Sequence, residues 1–164
     1  MLFPTGAALG EVEALRRAWD PAMAAQIAAH ITVVYPDEHP GLAALRERIA
    51  SVAAGHAPFR IRLGDVRAFP PPDEGCVYLE VLDLDGGFAA LREALTVPPF
   101  RPIAFPPHVT IIHPRTSTRA AEFWRTEARE RLALETTIDS IAITSSEGAD
   151  YAVEARFPLS GSGG

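Results

Sequence analysis

Only one cysteine, Cys76, occurs among the 164 residues, which excludes an internal disulfide and any zinc site built on cysteines. A reducing interior suits such a chain, and the cytoplasm is the expected location. Positive charge is scarce as well: 15 Lys and Arg stand against 21 Asp and Glu, for a net charge of −6 and a pI near 5.3. Gripping a long duplex takes Lys and Arg on many phosphates, so a long double-stranded nucleic acid is excluded as a partner, while a small anionic ligand or a single RNA end is not. No apolar run approaches the roughly 18 to 20 residues of a membrane span, and Met1-Leu2-Phe3-Pro4 has no basic stretch of the kind that opens a signal peptide. No membrane partner is expected.

What is present has the balance of one globular domain with a real core, 48% apolar and 22% charged. It should span 1–160, with 161–164 a flexible Gly-Ser tail. Val12, Leu15 and Trp19 share a helix face, predicting a helix from Leu9 to Trp19 that stops near Asp20-Pro21. An alanine-rich connection leads to "HITVVYP", His30 to Pro36, which reads as a short buried strand. Leu42, Leu45, Ile49 and Val52 predict a helix up to Gly55, and the alternating Pro58 to Phe69 and Cys76 to Leu82 predict a hairpin around the turn "PPPDEG". Then the order returns. Phe88, Leu91 and Leu95 mark a helix, "HVTIIHP" from His108 to Pro114 a strand, and Ala120, Trp124, Ala128 and Leu132 a helix capped by Ser117 or Thr118. Two strands, Leu134 to Thr144 and Tyr151 to Phe157, complete it. Each half, about 9–83 and 84–158, reads as helix, His-strand, helix, strand, strand. This is a diverged duplication, and it predicts an α+β, bilobal fold: two antiparallel sheets facing a central cleft, helices outside, related by a pseudo-two-fold axis.

The two His strands carry the chemistry. Alternation along a strand puts His30 and Thr32 on one face, and His108 and Thr110 likewise, each pair about 6.6 to 6.8 Å apart. A pseudo-two-fold axis brings equivalent residues together, so two imidazoles and two hydroxyls converge on one point. Core packing alone gives no reason to keep a desolvation-costly imidazole and hydroxyl in both copies. Cleaving a phosphodiester needs a base for the incoming water and an acid for the leaving oxygen, and histidine does both near neutral pH. The threonine hydroxyls suit the non-bridging oxygens. No metal and no cofactor are called for.

The paired H-x-T motifs, with "ALRRAWDP" before the first and "PPHVT" at the second, resemble the 2H phosphoesterase superfamily, in particular its bacterial 2'-5' RNA ligase-like branch, over nearly the whole chain. The resemblance implies a bilobal fold with His30 and His108 as catalytic pair, Thr32 and Thr110 as phosphate ligands, no metal, and hydrolysis of 2',3'-cyclic phosphodiesters or 2'-5' linkages. The partner is then a nucleotide or an RNA terminus with a cyclic phosphate, met by a monomer. Around this centre, Phe100, Arg101 and Phe105 in the proline-rich approach "VPPFRPIAFPPH" would offer stacking surface and charge, and Arg115 a phosphate contact. Tyr35 and His113 stand at the strand ends, where substrate contact is conceivable for Tyr35 but parity points both away from the catalytic face. Arg60, Arg62 and Arg67 read as the solvated face of their strand, and His39 and His56 as surface. Two other classes compete: a binding module that holds a nucleotide or RNA end without turning it over, and a metallohydrolase joining His30 or His108 to Asp37, His39 or His113. Ligand-like spacing on one strand face is missing for the latter.

Overall fold

The computed structural model describes residues 1–69, 75–126, 131–147 and 150–161. Helix α1 (Gly6–Trp19) buries Ala8, Val12, Arg16 and Trp19, one residue per turn. The alanine-rich connection after it is a second helix, α2 (Pro21–Gln26). Asp20 makes it: its carboxylate accepts the Met23 N–H at 3.0 Å, and Pro21 at the first position has no N–H to waste. Helix α3 (Leu42–Gly55) turns Leu45, Ile49 and Ala53 inward and leaves Leu42 exposed, and α4 (Gly87–Leu95) buries Phe88, Leu91 and Leu95.

Strands β1 (Phe59–Ala68), β2 (Val77–Asp83), β3 (His108–Ile112) and β4 (Arg131–Ile138) form one antiparallel sheet in the order β3-β2-β1-β4. A second sheet pairs β5 (Ser140–Glu147) with β6 (Asp150–Pro158). The segment predicted as one strand from Leu134 to Thr144 is therefore two, broken at Asp139, whose carbonyl accepts the Leu159 N–H at 2.7 Å. The apolar parity shifts there, from Leu134 and Ile138 before the break to Ile141 and Ile143 after it, a change of phase that a single strand does not accommodate. Between β3 and β4, helix α5 (Ala120–Thr126) is shorter than expected: Leu132 lies in β4, and Ala128 falls outside the described residues. Ser117 supports its start, accepting the Arg119 N–H at 3.3 Å. Residues 70–74 of the predicted turn and 162–164 of the predicted tail also lie outside the described residues, whereas Gly161 donates its N–H to the His56 carbonyl at 3.0 Å.

The two sheets are joined edge to edge. Leu2 and Ile31 exchange N–H···O bonds of 2.9 and 2.8 Å, Ile31 bridges antiparallel to Val109 of β3, and the Ala142 N–H of β5 donates to the Met1 carbonyl at 2.8 Å. The result is one curled surface of α+β architecture. Its convex side packs on the helices, with α4 against β1 and β2, α3 against β5 and β6, and α1 reaching β3 and β4. Ile31, Ile61, Leu63, Leu79 and Val109 fill this side and are fully buried.

One expectation fails here. His30 to Pro36 is not a strand beyond the single rung at Ile31; the chain bends at Val33 and Val34 into a 3-10 turn, Pro36–Glu38. The hydrogen bonds a ladder would need are diverted. Glu38 accepts the Tyr35 N–H at 2.7 Å, the Arg92 guanidinium donates to the Val33 carbonyl, and Pro36 has no donor.

Candidate active site

The rung between Ile31 and Val109 fixes the geometry. In an antiparallel pair the flanking residues lie opposite one another, so His30 faces Thr110 and Thr32 faces His108, all on the side away from the buried Ile31 and Val109. Each corner is half-buried. The quartet is a rectangle about 6.7 Å along the strands and about 5 Å across, with the histidines on one diagonal, about 8 Å apart at their backbones, and the threonines on the other.

Both rings are set in the same way. His30 Nδ1 lies 2.9 Å from the Ala28 carbonyl and His108 Nδ1 2.9 Å from the Pro106 carbonyl, in each case two residues back. A carbonyl only accepts, so Nδ1 carries the hydrogen and Nε2 is left free toward the cleft. Burial pushes the His30 pKa down to about 4, opposed by the Ala28 hydrogen bond and helped by the positive charges of Arg16, the terminal amine and His108. Burial also lowers His108, against its bond to Pro106. Without an anion between them, both imidazoles are neutral at pH 7.

Aromatic side chains wall the two histidines differently. Beside His108 stand Phe69, Tyr78 and Phe105, with ring centroids 5.3, 5.2 and 5.2 Å from its own, and Phe69 stacks on Tyr78 at 4.3 Å. Among the described residues His30 has a single such neighbour, Phe3, at 6.1 Å. Tyr78 pairs with Thr110 and Glu80 with His108 across β2 and β3, which puts both on the quartet's face. The Cys76 thiol lies 3.7 Å from the Thr110 hydroxyl. Arg60, Arg62 and Arg67 occupy the same face further out, where each meets a carboxylate: Asp85, Glu135, and Glu80 with Asp65.

Three carboxylates, half-buried Glu13 and buried Glu38 and Asp20, fasten the chain on either side of the motifs. Glu13 accepts the Ala29 N–H just before His30. Fully buried Glu38 pairs with Arg92, accepts the Tyr35 N–H and accepts the Ile103 N–H at 2.6 Å, tying the exit of the first motif to the approach of the second. Asp20, also fully buried, accepts the His113 N–H at 2.9 Å and the Thr116 hydroxyl at 2.7 Å just after the second motif. Each loop that could swing a histidine out of register is thus held to an element of the core.

The residues flagged around the motifs separate. Phe105 does line the site, 42% exposed against His108. Tyr35 does too, contrary to the parity expectation: because the chain leaves the strand after Ile31, its ring meets Phe105 at 5.5 Å, and burial pushes its phenol up to about 12. Phe100 does not, since it is buried, 5% exposed, under the Arg48 guanidinium. Arg101 is exposed and its backbone N–H donates to the Glu38 carbonyl at 2.9 Å. Arg115 is exposed beside His113, donating its N–H to His113 Nδ1 at 3.1 Å. Sequence reasoning missed Phe3, Phe69, Cys76 and Tyr78. Tyr78 and Glu80 alternate on their strand, but which strand pairs with the second motif is set by topology and not by local pattern. Among the described residues no three His, Cys, Asp or Glu side chains cluster to hold a metal ion, and no helix is long and apolar enough to cross a membrane.

Comparison with known proteins agrees with this architecture. TT0787 of Thermus thermophilus superposes with a TM-score of 0.63 at 21% identity, covering 94% of this chain and 91% of its own. Escherichia coli LigT complexed with 3'-AMP superposes with a TM-score of 0.60 at 16% identity, covering 96% and 95%. At these identities the likeness concerns the fold. No curated protein sequence matches the chain. The family match rests on the sequence itself: residues 3–150, both H-x-T motifs included, fit the 2'-5' RNA ligase superfamily, and the chain belongs to that family of 2H phosphoesterases.

Proposed function

We propose that the protein is a metal-independent phosphodiesterase that opens 2',3'-cyclic phosphates or 2'-5' linkages of nucleotides or RNA ends. The observation that carries this is the diagonal placement of the two imidazoles about a single strand rung, with hydroxyls on the other diagonal. In-line displacement at phosphorus needs proton acceptor and proton donor on opposite sides and hydrogen bonds to the oxygens between them, and the rectangle supplies both. His30 and His108 are the catalytic pair; Thr32 and Thr110 hold the non-bridging oxygens.

An anion seated in the quartet raises the affinity of both rings for a proton, and the ring with the less depressed pKa takes it. That is His108, the acid; His30, held lowest, is the base. His30 Nε2 takes a proton from water as its oxygen attacks phosphorus. The bond from phosphorus to one ribose oxygen breaks, and His108 Nε2 delivers its proton to that oxygen. A phosphomonoester and a free hydroxyl result, and solvent exchange returns both rings to their starting states. Tyr35, Phe105 and Tyr78 offer the ribose and base a stacking surface on the His108 side.

That LigT was crystallised with 3'-AMP, a nucleoside monophosphate, supports a nucleotide as the ligand class for this fold. The test is a panel of 2',3'-cyclic nucleotides and 2'-5' and 3'-5' dinucleotides without added metal, run with the parent protein and with His30→Ala and His108→Ala. Turnover in the parent and its collapse in both variants is the expected result. Parent-like turnover by either variant would sink the acid–base pair, and tight binding without turnover in the parent would make the protein a binding module.

A further inference from the structure

A groove of about 320 Å³ opens on the His30 side of the cleft, between the start of the chain, the end of α2 and the β5–β6 hairpin. Phe3, Gln26, Ala28, Thr144, Tyr151 and Arg156 line it. Its size is in the lower range of small-ligand sites. It adjoins His30, because Ala28 is the residue whose carbonyl holds the His30 ring and Phe3 is the ring beside it.

Arg156 gives the groove its sign. Its strand partner across β5 is Ala142, which bonds Met1, so the side chain rises on the same face as the quartet. There it lies over the Phe3 ring, the guanidinium carbon 4.9 Å from the centroid. The His30 ring and this guanidinium are at most about 11 Å apart, since they lie 6.1 and 4.9 Å from one ring centre. The other arginines of the face, Arg60, Arg62 and Arg67, each meet a carboxylate; among the described residues Arg156 meets none. On a protein of net charge −6, a cation that lies over an aromatic ring at the rim of a mostly apolar groove, with no carboxylate partner among the described residues, is arranged for an incoming anion. The Tyr151 hydroxyl and the Gln26 amide add neutral donors at the same wall.

We propose that this groove is a second anion subsite, taking the phosphate next to the reacting one, so that the preferred substrate carries two phosphates: an RNA end, or a nucleotide with a 5'-phosphate in addition to its cyclic phosphate. The inference rests on the phosphodiesterase reading and narrows it. A cyclic mononucleotide without a 5'-phosphate fills the quartet and leaves Arg156 empty.

The experiment compares kcat/KM for adenosine 2',3'-cyclic phosphate, the same compound with a 5'-phosphate, and a dinucleotide ending in a 2',3'-cyclic phosphate. A charge-assisted contact predicts a gain of about tenfold to a hundredfold for the compounds with the extra phosphate. In Arg156→Gln that ratio falls toward one, and in Arg156→Lys it is partly kept. A gain with the 5'-phosphorylated mononucleotide points to a terminal phosphate, and a gain with the dinucleotide alone to an RNA end; either supports the subsite if Arg156→Gln removes it. Equal kcat/KM for all three compounds, or a gain that survives Arg156→Gln, overturns it. Should none of the three be turned over, the phosphodiesterase reading falls by itself, and calorimetry decides the subsite. Adenosine 3',5'-bisphosphate binding more tightly than 3'-AMP, with the difference lost in Arg156→Gln, upholds it; equal affinities reject it.

Discussion

Replacing Glu38 by alanine tests whether the site is held by its buried ion pair. The carboxylate has no exposure, the Arg92 side chain only 17%, and together they satisfy the Tyr35 and Ile103 N–H groups and the Val33 and Ile103 carbonyls. Removing the acid strands a guanidinium and two amide donors away from water, a change that costs about 3–5 kcal/mol. For a chain of this size each kcal/mol lowers Tm by about 2–4 °C, so the expected shift is about 6–20 °C. Urea unfolding of Glu38→Ala beside Arg60→Ala, which loses only the exposed pair with Asp85, gives the contrast: the second should leave the unfolding midpoint close to that of the parent. The acid limb carries a second signature. Burial alone would raise the Glu38 pKa, but Arg92 and the Tyr35 and Ile103 N–H groups outweigh it and the net shift is downward. Its contribution is therefore complete above the ordinary carboxylate range and disappears as pH falls through the lowered value, so Glu38→Gln should lose less stability on acidification than the parent. A Glu38→Ala protein within about 1 kcal/mol of the parent would refute this account of how the motifs are anchored.

Each of His30→Ala and His108→Ala should cut kcat on a cyclic nucleotide by about 10² to 10⁴, and Thr110→Val by about 10² to 10³, measured in steady state. The free-enzyme pH profile should rise through about 4 as His30 becomes neutral and fall below 6.5 as His108 loses its proton, placing the kcat/KM optimum on the acid side of the ordinary histidine range. Ring-proton NMR titration checks the same values directly, and a His30 midpoint near 6.5 would contradict its burial. Prior dialysis against EDTA should leave turnover unchanged. Gly87→Ala should be strongly destabilising by thermal unfolding, because a Cβ there would stand 2.2 Å from the Phe59 Cβ.

Much of this was readable from the chain because the features are periodic or repeated. The helices at Val12, Leu45 and Phe88 and the β1–β2 hairpin follow from spacing, and the pairing of the motifs from duplication. Errors occur where one side chain overrides the pattern. Tyr35 lies on the aliphatic run of the first motif, yet Glu38 draws its N–H into a turn and so turns its ring toward the site. The stretch from Leu134 to Thr144 reads as one strand although its apolar positions change parity at Asp139, where the chain passes from one sheet to the other. Phe3, Tyr78 and Arg156 reach the cleft only because Leu2 meets Ile31, β2 meets β3 and β6 meets β5, pairings that no local window encodes. Phe100 illustrates the converse: a proline-rich approach was legible as rigid, but not which of its rings turns inward.

The seam between the sheets is one rung wide. At the histidines themselves only the Ile31–Val109 pair joins the two strands and does little to resist local sliding, so travel there is governed by α1, by the Asp20 contacts and by the buried ion pair behind them. Any shear of one sheet against the other changes the separation of the two imidazoles nearly one for one. Substitutions in the helical layer, far from any phosphate, should therefore surface as losses of rate rather than of affinity, since proton transfer tolerates misplacement far less than binding does.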